Sequence, residues 1–167
     1  MTKDVQKQIW ELLCCCDKEF VPPLSDRYNI TQKEFSNKEK SEKPHKYFSD
    51  MIKLDFVIAK VNEKIIGFIA FYKTYSCEVL SQYKTFLYIA TICVNPAFRG
   101  KGVLTNMYDY LEKKITKKFN QNQIVTRTWS SNVHHIKMLE KREYTKILVL
   151  INNRGNNIDT IYFRKVL

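Results

Sequence analysis

Ile92-Cys93-Val94-Asn95-Pro96-Ala97-Phe98-Arg99-Gly100-Lys101-Gly102-Val103-Leu104 is the segment around which the remaining chain arranges itself. An apolar run ends at Val94, Pro96 turns the chain, two glycines make a loop, and from Val103 apolar residues recur at helical spacing. Glycines let such a loop bend tightly and aim successive backbone N–H groups at one point. The start of the following helix adds unsatisfied N–H groups and partial positive charge, so the arrangement suits an anion of the pyrophosphate kind. Arg99 and Lys101 bring two formal charges to the same loop. The whole chain has only 4 glycines, and two of them fall here, which argues against a chance turn.

Two other glycine loops are excluded. A nucleotide P-loop ends Gly-Lys-Ser/Thr, whereas Gly100-Lys101 is followed by Gly102, so no hydroxyl is placed to hold magnesium. A dinucleotide fingerprint needs a third small residue where this chain has Thr105. Val94-x-Pro96 followed by Arg99-Gly100-x-Gly102-Val103 instead resembles motif A of the GNAT family of acetyl-CoA-dependent N-acetyltransferases, whose signature is Arg/Gln-x-x-Gly-x-Gly/Ala. Arg99 and Gly102 match its first two fixed positions, and Leu104 stands where a small residue is usual.

At 167 residues the chain is long enough for one domain with a substantial core and short for two. Hydrophobic residues at 44% and charged residues at 27% describe a soluble globular protein. No apolar run approaches the roughly 20 residues that span a bilayer, and no signal-peptide core opens the sequence, so no membrane association and a cytoplasmic location are expected. Five cysteines, including the run Cys14-Cys15-Cys16, have no paired metal-ligand spacing. They read as free thiols in a reducing compartment, with no metal. The net charge of +11 comes mostly from scattered lysines. A nucleic-acid module would cluster basic residues among aromatics, so no specific nucleic acid is expected.

Taken in order, Val5, Ile9, Leu12, Leu13 and Cys16 predict an amphipathic helix over 3–16, with no strand before it. Residues 17–44 are irregular, broken by Pro22-Pro23, and read either as a surface loop with a short helix or, as the resemblance implies, as a segment folded over the acceptor site whose aromatics Tyr28 and Phe35 shape substrate choice. Pro44 is placed to open a helix running to about Lys53. Phe56–Val61 and Ile65–Tyr72, separated by Asn62-Glu63-Lys64, form a hairpin, with Gly67 marking a bulge or a close backbone approach. Residues 74–84 read as a crossover above the sheet, and Phe86–Val94 as a central strand buried on both faces. The helical stripe from Lys101 to Phe119 leads to a strand over Ile124–Trp129, which implies a right-handed parallel crossover. Asn132 begins a further helix, and strands over Lys146–Ile151 and Ile158–Phe163 close the chain. The fold class is therefore α/β (α+β): a mixed, mostly antiparallel sheet with helices on its faces, in one domain.

Ser131-Asn132, Ile136, Met138-Leu139-Glu140-Lys141 and Tyr144 are similar to GNAT motif B, which commonly reads Asn-x-x-Ala-x-x-Leu-Tyr-Glu-Lys-x-Gly-Phe. The resemblance spans roughly residues 55–165. It implies a sheet splayed between the parallel strands ending near Val94 and Trp129, with the pantetheine arm of acetyl-CoA in the gap. It further implies that Ile92, Cys93 and Val94 bond that arm, that a backbone N–H near Val94 steadies the oxyanion, and that Arg99, Gly100, Lys101, Gly102, Val103 and Leu104 cradle the pyrophosphate. Asn132 would hold the arm with its side chain, although Asn also caps helices whatever the function. The activity implied is acetyl transfer to a primary amine of a small molecule or peptide by direct attack in a ternary complex.

Two family residues are missing. Leu139 replaces the usual general-acid tyrosine, and Thr91 stands where many relatives carry a carboxylate. The catalytic residues stay unassigned, with Glu78 in the connection and Tyr88 on the strand as candidates; His134 and His135 read as decoration of a helix start. These losses motivate an alternative, a non-catalytic acyl-CoA-binding protein of the same fold. Charge alone motivates a third, nucleic-acid-binding reading. The partners expected are acetyl-CoA and an amine acceptor, with homodimerisation left open.

Overall fold

Thr2 caps the first helix, its hydroxyl accepting from Val5 N at 3.3 Å, and α1 runs Lys3–Cys16 as its apolar spacing predicts. It buries Ile9, Leu12, Leu13 and Cys16 on the sheet. The computed structural model describes residues 1–27 and 42–167; the aromatics Tyr28 and Phe35, expected near the acceptor, lie outside the described residues. Two short 3-10 turns, Asp17–Glu19 and Leu24–Asp26, follow α1. Helix α2 is His45–Met51, shorter than expected, with Pro44 outside it as its cap residue.

Six strands follow: β1 Asp55–Val61, β2 Lys64–Tyr75, β3 Phe86–Val94, β4 Gln123–Trp129, β5 Thr145–Leu150 and β6 Thr160–Val166. Their spatial order is β1-β2-β3-β4-β6-β5. Among the described strands only β3 and β4 pair in parallel. Residues 74–84 are not a crossover, because β2 continues to Tyr75 and pairs antiparallel with β3, Tyr72 opposite Tyr88. The 3-10 turn Glu78–Tyr83 is thus the connection of a long hairpin.

Gly67 meets both expectations made for it. The β1–β2 register shifts beside it, and a Cβ there would lie 3.2 Å from Cys93 O, Val103 Cγ1 and Met107 Cε. That contact is tight, so the missing side chain lets the next helix settle on the sheet. Helix α3, Val103–Tyr110, passes through a π-helical turn, Leu111–Ile115, into α4, Thr116–Lys118. The expected single stripe is therefore continuous but locally underwound. Helix α5 is Val133–Lys141. The helices α3 and α5 cover one face of the sheet around Ile69, Leu87, Tyr108 and Leu139, while α1 and α2 cover the other around Leu13, Met51 and Phe68.

Glu112 fastens this layer to the sheet edge. Its carboxylate accepts from Arg142 Nε at 3.0 Å, Tyr144 OH at 3.2 Å and Lys165 Nζ at 3.0 Å, with its side chain 8% exposed. Glu112→Ala would leave the largely buried Lys165 without its carboxylate and Arg142 with Asp109 alone, a change that costs about 3 kcal/mol. Urea unfolding should show a midpoint lowered accordingly at unchanged slope. A loss under about 0.5 kcal/mol would mean solvent already screens the cluster.

Candidate functional site

Strands β3 and β4 pair at Leu87–Ile124, Tyr88–Val125 and Ile89–Thr126, and no further. The β2–β3 register jumps between Ala70–Thr91 and Phe71–Ile89, which leaves Ala90 as an extra residue in β3. Such a bulge bends a strand and increases its twist, so β3 leaves β4 at this point. Asn95 N donates to Ile66 O on β2 at 2.8 Å. By alternation, the backbone groups of Ile92 and Val94 then face the open side. A cavity of about 880 Å³ fills the gap, lined by both strands, the glycine loop and the starts of α3 and α5.

At the mouth of the cavity, Gly100 and Gly102 have φ of +71° and +76°, and a Cβ on either would meet nothing within 4 Å. The positive φ explains why glycine stands there, and the open space beside each leaves the backbone approachable. Gly102 precedes α3, whose first residues Val103, Leu104 and Thr105 line the cavity. Leu104, in the position of the usual small residue, is half-buried against the core while bordering the cavity. The N–H groups of this first turn have no intrahelical acceptors, so an anion can take them.

The two basic side chains of the loop both have partners within the protein. The Arg99 guanidinium reaches Glu19 Oε2 at 2.8 Å, Val94 O at 3.1 Å and Cys16 Sγ at 3.8 Å. Lys101 Nζ donates to Ala97 O at 3.1 Å and does not line the cavity. Arg99 nevertheless lines the cavity beside the backbone of Gly100 and Gly102. Cys93 and Cys16 both border the cavity. A hydrogen bond with Cys93 holds the Cys16 thiol below its usual range, whereas burial pushes Cys93 up.

Asn132 caps α5, its Oδ1 accepting from His135 N at 3.4 Å, and it lines the cavity as well. Capping uses the oxygen and leaves the amide N–H₂ for a ligand. Asn132→Asp should therefore keep the helix and the melting temperature while weakening acetyl-CoA binding severalfold. Equal losses of stability and affinity would reduce Asn132 to a cap.

Other expectations fare differently. Thr91 is buried, with its hydroxyl 2.7 Å from Tyr47 OH, and Leu139 is wholly in the core. Tyr88 stacks on Tyr75 at 4.7 Å, and burial pushes its phenol far above the usual range. Neither Tyr88 nor Glu78 lines the cavity. Residues given no site role by the sequence do line it: Cys16 at the end of α1, Glu19 and Phe20 just after it, Arg127, Thr128 and Trp129 on β4, and His134 and His135 at the start of α5. The one signal available for His135 was its place at the alanine of the motif B pattern. Glu143 similarly occupies the glycine of that pattern and adopts its left-handed conformation, φ 65°.

The class of protein follows from where the gap lies. A parallel pair that parts beside a glycine-lined helix start accommodates a long thin ligand with a phosphate end, and that class is the acyl-CoA-dependent transferases. Residues 24–144 match the model of the acetyltransferase (GNAT) family, and the chain belongs to this family of acetyl-CoA-dependent N-acetyltransferases. Similar solved structures include ribosomal-protein-alanine N-acetyltransferase from Brucella melitensis, 12% identical over 100% of this chain and 97% of that one, TM-score 0.68. The yncA protein of Salmonella typhimurium, solved with its cofactor acetyl-CoA, is 12% identical over 100% and 91%, TM-score 0.69. An aminoglycoside 6'-N-acetyltransferase complexed with coenzyme A is 15% identical over 99% and 92%, TM-score 0.68. At these identities the likeness is one of fold. No curated protein matches the chain. Among the described residues no helix is long and apolar enough to cross a membrane.

Proposed function

We propose that this chain transfers the acetyl group of acetyl-CoA to a primary amine of a small molecule or peptide, by direct attack within a ternary complex. The observation that carries this reading is the open β3 edge beyond Ile89, continuous with the glycine cradle in one cavity. Acetyl-CoA supplies an acetyl group already activated as a thioester. Ile92 offers its backbone N–H and C=O along the arm and Val94 its N–H, the Val94 carbonyl already accepting from Arg99, with Cys93 between them bordering the slot. The backbone of Gly100, Gly102, Val103 and Leu104 takes the pyrophosphate, and Asn132 steadies the arm from α5. The N–H groups on the open edge donate to the acyl oxygen as charge develops there. Holding both reactants in one cavity supplies much of the rate gain.

No side chain is assigned as base. Water or a weakly perturbed group carries the amine proton away, with Glu78 and Tyr88 the residues to test. The experiment is release of the CoA thiol from acetyl-CoA across a panel of amines. Turnover with an amine, without a substituted-enzyme intermediate, supports the reading. Tight acetyl-CoA binding with no thiol release from any amine would favour the acyl-CoA-binding protein, consistent with the inert surroundings of Thr91 and Leu139.

A further inference from the structure

Phe20, just after α1, and Trp129, the last residue of β4, are both half-buried and both line the cavity. Their rings form a tilted pair, 5.7 Å apart at 47°. Side chains of β4 alternate between two faces: Ile124 packs with the α3 and α5 layer, and Val125 packs with Tyr88 and Tyr162 on the other. Trp129 shares the face of Val125, and Phe20 packs on that face with the α1 cluster, the two clusters meeting at Tyr72 and Ala90. The glycine loop leads into α3 on the opposite face. A donor seated on that loop leaves the Phe20–Trp129 wall to whatever approaches from the α1 side.

Each ring already has a cation on its buried side. Arg27 Cζ lies 5.6 Å from the Phe20 centroid, and Arg154 Cζ lies 5.6 Å from that of Trp129. Both arginines are buried, and both donate to Val21 O, at 3.3 Å and 2.6 Å. Arg27 also donates to Pro22 O at 2.8 Å, and Arg154 to Thr160 Oγ1 at 3.0 Å. These bonds hold the rings from behind, so little side-chain freedom is lost when a ligand packs on them. The guanidiniums already use the attraction of the rings for positive charge, so a further cation gains less from them. What remains is exposed aromatic surface, and its best partner is another ring in offset or edge contact.

We infer that Phe20 and Trp129 bind an aromatic group of the amine acceptor, and that the preferred acceptor is a primary amine carrying a ring and no second cation. The inference rests on the acetyltransferase reading of the cavity and names the acceptor class within it. Both residues set specificity and take no part in proton transfer. The donor lies along the backbone of β3 and the glycine loop, and the ring of the acceptor lies on two side chains of the opposite face.

Thiol release from acetyl-CoA should be measured with phenethylamine, hexylamine and hexanediamine, each rate corrected for the neutral fraction of the amine. Phenethylamine should show kcat/KM roughly 3- to 10-fold above hexylamine, the usual worth of one aromatic contact. Hexanediamine should fall below hexylamine, because its second ammonium loses water against an apolar wall. Trp129→Leu and Phe20→Leu should each erase most of the aromatic preference by raising KM for phenethylamine, with KM for acetyl-CoA unchanged. Trp129→Phe should restore part of it. A ratio between two amines does not depend on how much of a variant is folded, so a purely structural role would leave it intact. Calorimetry of the CoA-loaded protein with each amine gives the same comparison without chemistry. Equal kcat/KM for phenethylamine and hexylamine, a preference for hexanediamine, or leucine variants that raise the acetyl-CoA KM and keep the aromatic preference would overturn the inference while leaving the acetyltransferase reading intact. Aromatic preference in binding with no thiol release from any amine would overturn that reading and leave the ring wall standing. Binding without preference, together with no release, would overturn both.

Discussion

Gly102→Val should abolish the thermal stabilisation that acetyl-CoA gives the parent protein. At about 100 times its dissociation constant a ligand stabilises by roughly 2.7 kcal/mol, several degrees for a chain of this size. A Cβ at position 102 would point into empty space in the free protein, so no atom of the fold obstructs it. The cost to folding is confined to a β-branched residue at φ +76°, on the order of 1–3 kcal/mol. A domain of ordinary stability survives that loss. The same Cβ would occupy the cradle over the N–H groups that begin α3, where a phosphate must come close. The measurement is a pair of melting curves, with and without acetyl-CoA, for the parent, Gly102→Ala and Gly102→Val. The shift should shrink in the alanine variant and vanish in the valine one. A full shift in folded Gly102→Val would remove the pyrophosphate from this loop.

The second large effect concerns pH. Thr91 and Leu139 cannot titrate, and the first is tied to Tyr47 while the second is wholly buried. His135, with its pKa pushed down to about 4, is neutral throughout the assay range. No enzyme group with a pKa near 6–7 is therefore expected to govern kcat. Below the pKa of the bound amine, kcat should climb about tenfold per pH unit, roughly 100-fold between pH 7 and pH 9 for an alkylamine. Two good acceptors whose amines differ by about two pKa units should give midpoints separated by the same interval. Positive charge near the acceptor would lower both midpoints without closing the gap. An inflection near pH 6–7 shared by both acceptors would reveal a dedicated base, and His134→Ala, at the cavity wall, would be the first variant to make, with Glu78→Gln after it.

What the sequence by itself determined lies in segments of a dozen residues or so. The heptad-like run from Val5 to Cys16 fixes α1, the alternation around Asn62-Glu63-Lys64 fixes the β1–β2 hairpin, and Pro96 with two glycines fixes the loop before α3. Each depends on local spacing and backbone chemistry, which neighbours in the chain express directly. The α/β class followed from the order of such segments, and the family from two motifs.

Tertiary structure decided the rest, because it depends on residues far apart in the chain. Nothing near Tyr75 says that β2 continues and pairs with β3, which turned an expected crossover into a hairpin connection. The parting of β3 from β4 needs the bulge at Ala90 and strand 123–129 together, so neither segment alone shows a cavity. Arg99 reads as a charge on the glycine loop, and only the fold sets Glu19, eighty residues earlier, against its guanidinium. His135 reads as helix decoration until α3 brings Tyr108 beneath it, and Thr128 as an ordinary strand residue until its hydroxyl is seen buried and unpartnered. Local periodicity tells which face of an element is buried; only the packing of distant elements tells which polar atoms that burial pairs and which it leaves without a partner.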